Sequence, residues 1–291
     1  MGPVNDVTPA MTTATVASLH VYPVKGCRGI DVAAAAVTVT GLTHDGVGDR
    51  EWMLVDREGR FVTQREHPRL ALVQVGTDGG ALTLTTPGAA PLHVAIPTAS
   101  ASAREVVVWR SEVLGQDGGD AAAALVSAWL GVDVRLVRFD RARARPCNPE
   151  YAGNTGAHTF FADGYPVLVI GESSLAELNE RMAAFGEPAL PMNRFRPNVV
   201  VGGLPPFTED HLATLRIGAV ELTLVKPCVR CQVTTTDQAT AAVGVEPLRT
   251  LGGVRMDEHF GGVTFGMNAV VTGGAGATIA AGAPVSAEYR F

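Results

Sequence analysis

Little in this sequence is charged, aromatic or rich in cysteine. Charged residues make up 18% of 291 positions, below the usual quarter for a soluble domain. The formal net charge is -6. A general nucleic-acid binder needs a basic footprint, so that class is set aside. The 4 cysteines are too few and too scattered for a disulfide framework. That usage fits a reducing cytoplasm. The opening MGPVNDVTPAMTTAT is polar and lacks an apolar run, so no secretory signal is expected. It also lacks the arginines of a mitochondrial presequence. A stretch without charge, 261–287, has the length of a membrane span. Repeated glycines, Pro284 and the polar Thr264, Asn268, Thr272 and Thr278 interrupt it. It reads as short strands joined by turns, not as a span.

Apolar residues make up 46% of the chain, ample for one large domain or two modest ones. The first half carries short β-branched runs: VASLHVYPV, AAVTVTG, EWMLVDREG, LALVQVG, ALTLTTPG and EVVVW. Most end in Gly, Pro or Asp, as hairpin strands do. DREG at 56–59 reads as a turn. DAAAALVSAWLG at 120–131 predicts a helix stopped by Gly131. The segment 139–158 is rich in Arg, Pro, Gly and Asn, and reads as a linker or a mobile loop over a site. Next, FFADGYPVLVIG predicts a turn and a strand. In ESSLAELNERMAAFG, Ser174 and Glu177 have capping-box spacing. Leu175, Leu178, Met182 and Phe185 fall on one helical face. PNVVVGG, ATLRIGAVELTLV, RCQVTTT and the uncharged tail predict further strands. The expected class is a β-rich α+β chain with few helices, in two parts, 13–138 and 145–291.

The chemistry concentrates in KPCVRCQVTTTD, from Lys226 to Asp237. Cys228 and Cys231 have metal spacing, but no second pair completes a four-ligand zinc site. A thioredoxin-type dithiol should open a helix, and both flanks read as strands. Two cysteines packing as small hydrophobes remain open. So does a thiolate: Lys226 and Arg230 bracket the pair in what reads as a cationic turn, which favours the metal-binding form. A lone thiolate suits a soft metal whose other ligands come from a cofactor.

KPCVRCQVTTTD resembles the core motif of MOSC domains. LHVYPVKGCRG (19–29), GDREWMLVD (48–56) and FVTQREHPRLALV (61–73) resemble the β-barrel domain that precedes MOSC in one subfamily. NRFRPNVVVGG (193–203) and EPLRTL (246–251) resemble the MOSC half. The subfamily is that of the mitochondrial amidoxime-reducing component and its bacterial relatives. The resemblance implies an N-terminal β-barrel-like domain packed against a MOSC β-barrel domain. It also implies a molybdenum cofactor of the sulfite-oxidase type: one pyranopterin and one cysteine on the metal. By resemblance that cysteine is Cys231, a choice the residues alone do not make. Cofactor contacts carry over to Lys25, Gly26, Arg50, Arg196, Asn198, Val229 and Arg230. Relatives often have serine where Gly26 and Val229 stand, so only backbone contacts are expected there. Asp163 is carried over to the substrate side, and Asp237 is either a supporting partner or a turn residue.

The implied activity is reduction of small N-hydroxylated compounds, such as amidoximes, hydroxylamines and N-hydroxylated base analogues, to amines. A molybdenum-cofactor carrier or sulfur-transfer protein is the alternative. No cysteine follows Cys231 to hold an iron–sulfur cluster. A separate ferredoxin or flavoprotein donor is therefore expected, with neither nucleic acid nor membrane as partner.

Overall fold

The computed structural model describes residues 14–98 and 102–290. The opening segment read for targeting signals lies, up to residue 13, outside them. A closed barrel of seven strands forms the centre. Strands Val167–Gly171, Val199–Gly202, Ala14–Val21, Pro284–Tyr289, Leu212–Ile217, Val220–Val229 and Gly262–Gly273 are hydrogen-bonded in that order. Gly262–Gly273 then pairs back onto Val167–Gly171 and closes the ring. One junction is parallel, Val169 opposite Val199; a ring has no edge left to aggregate.

Period-two patterning builds the barrel. In Val220–Val229, Val220, Leu222 and Leu224 are buried while their neighbours are half-exposed. Val16, Leu19 and Val21 of the first strand meet Val199, Val201, Leu215 and Met267 inside. The first strand therefore completes a barrel made mainly of the last 125 or so residues, crossing the sequence boundary at 138–145. Val167–Gly171 is buried on both faces. Val167 and Val169 face the barrel interior, whereas Leu168 and Ile170 meet Leu178 and Met182 of helix Glu172–Ala183. Burying Leu178 and Met182 is worth about 1.5–3 kcal/mol each.

The other module joins Trp52–Val55, Arg135–Phe139, Ser111–Asp117 and Ala103–Val108 in one sheet, with a meander of Gln74–Asp78, Ala81–Thr85 and Leu92–Val94. Helix Asp120–Leu130 places Ala122 and Val126 against Trp52, Leu54, Leu82 and Leu136. It ends as expected at Gly131, in the left-handed region at φ 76. The DREG turn also forms: Asp56 accepts from the Glu58 and Arg60 amides. The uncharged tail folds into strands Gly262–Gly273, Thr278–Ala280 and Pro284–Tyr289. Among the described residues no helix is long and apolar enough to cross a membrane.

Four local expectations are corrected. Ser174 makes no capping box: its hydroxyl donates to Glu209 at 2.7 Å, and that same buried carboxylate accepts from the Gly171 amide at the helix start. Phe185 lies past the helix and is 75% exposed. The first part of LALVQVG belongs to a 3-10 turn, Pro68–Leu72, because Pro68 starts it. QVTTT is no strand but a 3-10 turn, Gln232–Thr235. Thr234 and Thr235 direct their hydroxyls back to the carbonyls of Cys231 and Gln232, which competes with a ladder.

Candidate active site

Chain segments from both modules converge on the outer flank of the barrel, where Leu168 and Asn268 face away from its interior. YPVKG leaves the first strand and is tied to Trp52 through the Lys25 amide and the Trp52 carbonyl at 2.8 Å. GDR enters Trp52–Val55, and FRPN enters Val199–Gly202. PCVRC ends Val220–Val229, where the ladder register slips between Leu224 and Lys226 and between Pro227 and Val229. Asn268 bridges to the carbonyls of Lys226 and Pro227 at 3.3 and 3.4 Å. Such bulges re-aim side chains.

These segments enclose a cleft of roughly 970 Å³, open solvent included. Lys25, Gly26, Arg50, Asp163, Arg196, Asn198, Val229, Arg230 and Cys231 all line it. Its charged lining comprises Lys25, Arg50, Arg65, Arg194, Arg196 and Arg230 against the single carboxylate Asp163. A chain of net charge -6 thus carries a strongly cationic pocket.

Three of these cations have a carboxylate partner, Lys25 with Asp163, Arg50 with Asp49 and Arg194 with Asp237, whereas Arg196 and Arg230 are held by neutral acceptors. Arg196 donates to the Cys27 carbonyl at 2.7 Å, and its Nη2 is buried without a partner. Arg50 donates to Asn198 Oδ1 and to the Arg196 carbonyl, each at 3.1 Å, and pairs with buried Asp49. Both guanidinium groups lie over the Tyr22 ring, at 4.5 Å for Arg50 and 4.3 Å for Arg196. Burial, then Arg50 beside it, lowers the Arg196 pKa to about 10. Arg50 moves up instead: burial opposes the shift, but Asp49, with Tyr22 and Asp163, outweighs it. Arg194 donates to the Thr234 carbonyl at 3.3 Å and keeps a partnerless buried Nε. Asn198 spends its amide on Asp49, the His20 carbonyl, the Leu168 amide and Arg50. It therefore acts on the cleft by positioning Arg50.

Cys231 is exposed and follows the bulged strand. Cys228 is half-buried, and Arg230 Nη1 donates to its sulfur at 2.8 Å. Arg230 Nη2 holds the Phe195 carbonyl at 2.6 Å, and its Nε is buried without a partner. The cationic bracket differs from expectation at Lys226. Its ammonium sits over Tyr151 and Phe260, at 4.4 and 5.1 Å, and does not line the cleft. Cys228 and Val229 belong to the strand itself, not to a turn. Among the described residues no group of three or more His, Cys, Asp or Glu could hold a metal. Cys27 is buried, and burial pushes its thiol up to about 12.

Asp163 pairs with Lys25 and accepts from the Trp109 indole at 2.9 Å. Burial pushes its carboxyl up, but Lys25, Trp109 and Arg50 together hold it well below the carboxylate range. Burial lowers the Lys25 pKa despite Asp163. Arg145 fixes this loop from beneath, donating to the carbonyls of Phe160, Ala162 and Asp163. The segment 139–158 contributes Arg145 as an anchor, and none of its residues lines the cleft. Asp237 serves its own turn, accepting from Ala239 and Thr240, with Arg194 at 3.7 Å. Trp109, Phe61, Arg65, Gln64 and Arg194 also line the cleft and escaped the sequence reading. Phe61, Gln64, Arg65 and Arg194 lie within the motifs FVTQREHPRLALV and NRFRPNVVVGG but receive no role there, and Trp109 lies on a hairpin turn outside any motif.

The architecture defines a β-barrel protein with a cation-lined cleft beside an exposed thiol. The family described as "MOSC N-terminal beta barrel domain" matches residues 13–133, and "MOSC domain" matches 156–286. "Mitochondrial amidoxime reducing component 2" of Bos taurus is 36% identical over 249 residues, covering 83% of this chain and 72% of that protein. "Mitochondrial amidoxime-reducing component 1" of Homo sapiens is also 36% identical, over 247 residues, with the same coverage. The chain belongs to the family of MOSC-domain proteins that carry the N-terminal MOSC barrel domain and include these amidoxime-reducing components.

Proposed function

We propose that this protein is a molybdenum-cofactor-dependent reductase of N-hydroxylated compounds, with Cys231 as the metal's cysteine ligand. The observation that carries the reading is the cleft's charge: six cations face one carboxylate beside the exposed Cys231 thiol. Within it, Arg196, Arg194 and Arg230 each keep a buried nitrogen without a partner. A pterin with a phosphate tail is multiply anionic, and it would satisfy such donors with charge-assisted bonds. The residues present fit that group. The relatives' names supply the substrate class: amidoximes reduced at nitrogen.

Arg50, Arg194 and Arg196 would hold the anionic portion, Lys25 and Arg230 would flank it, and Cys231 would turn its thiolate to the metal. Bound there, the group supplies two-electron reduction at a metal. The net change is R–NHOH + 2 e⁻ + 2 H⁺ → R–NH₂ + H₂O. Asp163, kept ionised by Lys25 and Trp109, accepts from the substrate N–H and orients it. Arg145 keeps that carboxylate in place through the loop carbonyls. Electrons come from a separate ferredoxin or flavoprotein in this reading.

The test is molybdenum per chain by elemental mass spectrometry, on protein from a cofactor-competent host. About one atom per chain is expected, retained in Cys228→Ser and lost, or altered in its thiolate absorption, in Cys231→Ser. With reduced methyl viologen, the loaded parent should reduce benzamidoxime to benzamidine. Molybdenum without turnover would favour the carrier reading; a chain that binds no molybdenum sinks both.

A further inference from the structure

We infer that Trp109 is the cleft's substrate selector, an aromatic wall that favours flat, conjugated N-hydroxylated compounds over saturated ones. The inference takes the substrate to be N-hydroxylated, as proposed above, and adds which kind. Trp109 occupies the turn between strands Ala103–Val108 and Ser111–Asp117. Its φ of 57° lies in the left-handed region, where glycine or asparagine is the ordinary occupant. Hairpin turns with positive φ select such small residues, so a tryptophan there is held against local preference. Strain of this kind gathers at ligand sites.

The side chain explains what is gained. Its indole N–H donates to Asp163 at 2.9 Å, which fixes the ring beside the one carboxylate of the cleft. Phe61 packs at 5.1 Å between ring centroids, and the Arg65 guanidinium sits 4.9 Å from the ring centre. Three neighbours thus hold the indole, yet the residue stays 45% exposed. The exposed surface lies in a cleft that Cys231 also lines. Aromatic surfaces attract conjugated rings by offset or edge-on contact. A saturated substrate finds the polar partners Asp163 and Lys25 but gains little from the wall.

The experiment is isothermal calorimetry with two probes, benzamidoxime and acetamidoxime, on the parent, Trp109→Asn and Trp109→Phe, each made in a cofactor-competent host. Asparagine tolerates the left-handed turn, so the backbone is kept. Phenylalanine keeps an aromatic face and drops the bond to Asp163. The parent should bind benzamidoxime roughly tenfold tighter than acetamidoxime. Trp109→Asn should bring the ratio near one, largely by weakening benzamidoxime. Trp109→Phe should keep most of the ratio while weakening both probes. An unchanged ratio in Trp109→Asn, or equal loss in both variants, overturns the inference. So does a parent that binds the probes equally. Molybdenum content of the same samples separates the two readings. A loaded chain without discrimination loses the selector and keeps the reductase; a chain that discriminates but holds no molybdenum does the reverse.

Discussion

Replacing Arg196 with methionine should leave the cofactor-free fold nearly as stable while weakening its grip on an anion. In the folded protein Arg196 is 9% exposed as a residue, and its guanidinium lies beside Arg50, both over Tyr22. Burial and that neighbour lower its pKa from 12.5 to about 10, which corresponds to about 3 kcal/mol against the charged form. The folded pKa lies below the unfolded one. The penalty is therefore present in full below about pH 10 and fades as pH rises toward 12.5. Methionine removes it. The substitution also orphans the Cys27 carbonyl, at about 1–3 kcal/mol, and loses the contact with Tyr22, at about 0.5–1 kcal/mol. Gains and losses cancel to within about 1–2 kcal/mol. Anion binding has no such compensation: a lost charge-assisted bond is worth about 1.5–3 kcal/mol, or roughly 10- to 100-fold in affinity. Urea unfolding of cofactor-free protein and molybdenum retention under dialysis measure the two halves. A fold weakened by more than about 3 kcal/mol with normal retention would refute the reasoning, because Arg196 would then be a structural strut.

Three further substitutions, one of them a control, test the site's scaffold and the N-terminal sheet. A Cβ on Gly29 would stand 2.4 Å from the Tyr22 ring, so Gly29→Ala must displace the ring beneath Arg50 and Arg196. We expect a loss of about 1–3 kcal/mol together with poorer molybdenum retention, whereas Gly131→Ala, with open space around it, costs only stability. Asp117 accepts from Arg135, Arg104 and the Gly119 amide. These outweigh its burial and lower its pKa from 3.8 to about 2. Its stabilisation is present above about pH 4 and drains away as pH falls toward 2. Asp117→Asn should flatten the stability profile in that window, as followed by circular dichroism.

The parts of the site legible in the sequence are those that arrive as contiguous turns. YPVKG, GDR, FRPN and PCVRC each end or begin a strand; GDR brings Arg50 alone, and the other three bring two or more lining residues at once. Short-range physics also made the helix ending at Gly131 readable. What escaped was long-range. Ser174 has the spacing of a cap, but Glu209 from a distant turn takes its hydroxyl. QVTTT has the composition of a strand, but its threonines bond backward to carbonyls three residues earlier. Trp109 reaches Asp163 across 54 positions, and nothing local distinguishes it from a core tryptophan such as Trp52.

The same separation gives the site its logic. The thiol, Arg194, Arg196 and Arg230 come from segments attached to the barrel, whereas Phe61, Arg65 and Trp109 come from the other module. Lys25 and Arg50 lie at the crossing, with the Lys25 amide bound to the Trp52 carbonyl and the Arg50 amide to the Tyr22 carbonyl. Arg50 and Asn198, from the two sides, meet on Asp49. An anion bound here would be gripped by the barrel wall and by the crossing, so its binding would also hold the modules together. The opposite wall would be left to choose the substrate. Variants at Arg196 and Gly29 should therefore act on retention, and variants at Trp109 on preference. Effects at Trp109 and Arg196 should add when combined, because Trp109 touches Asp163, Phe61 and Arg65 while Arg196 touches the Cys27 carbonyl and Tyr22; Arg196 and Gly29 share Tyr22 and should couple.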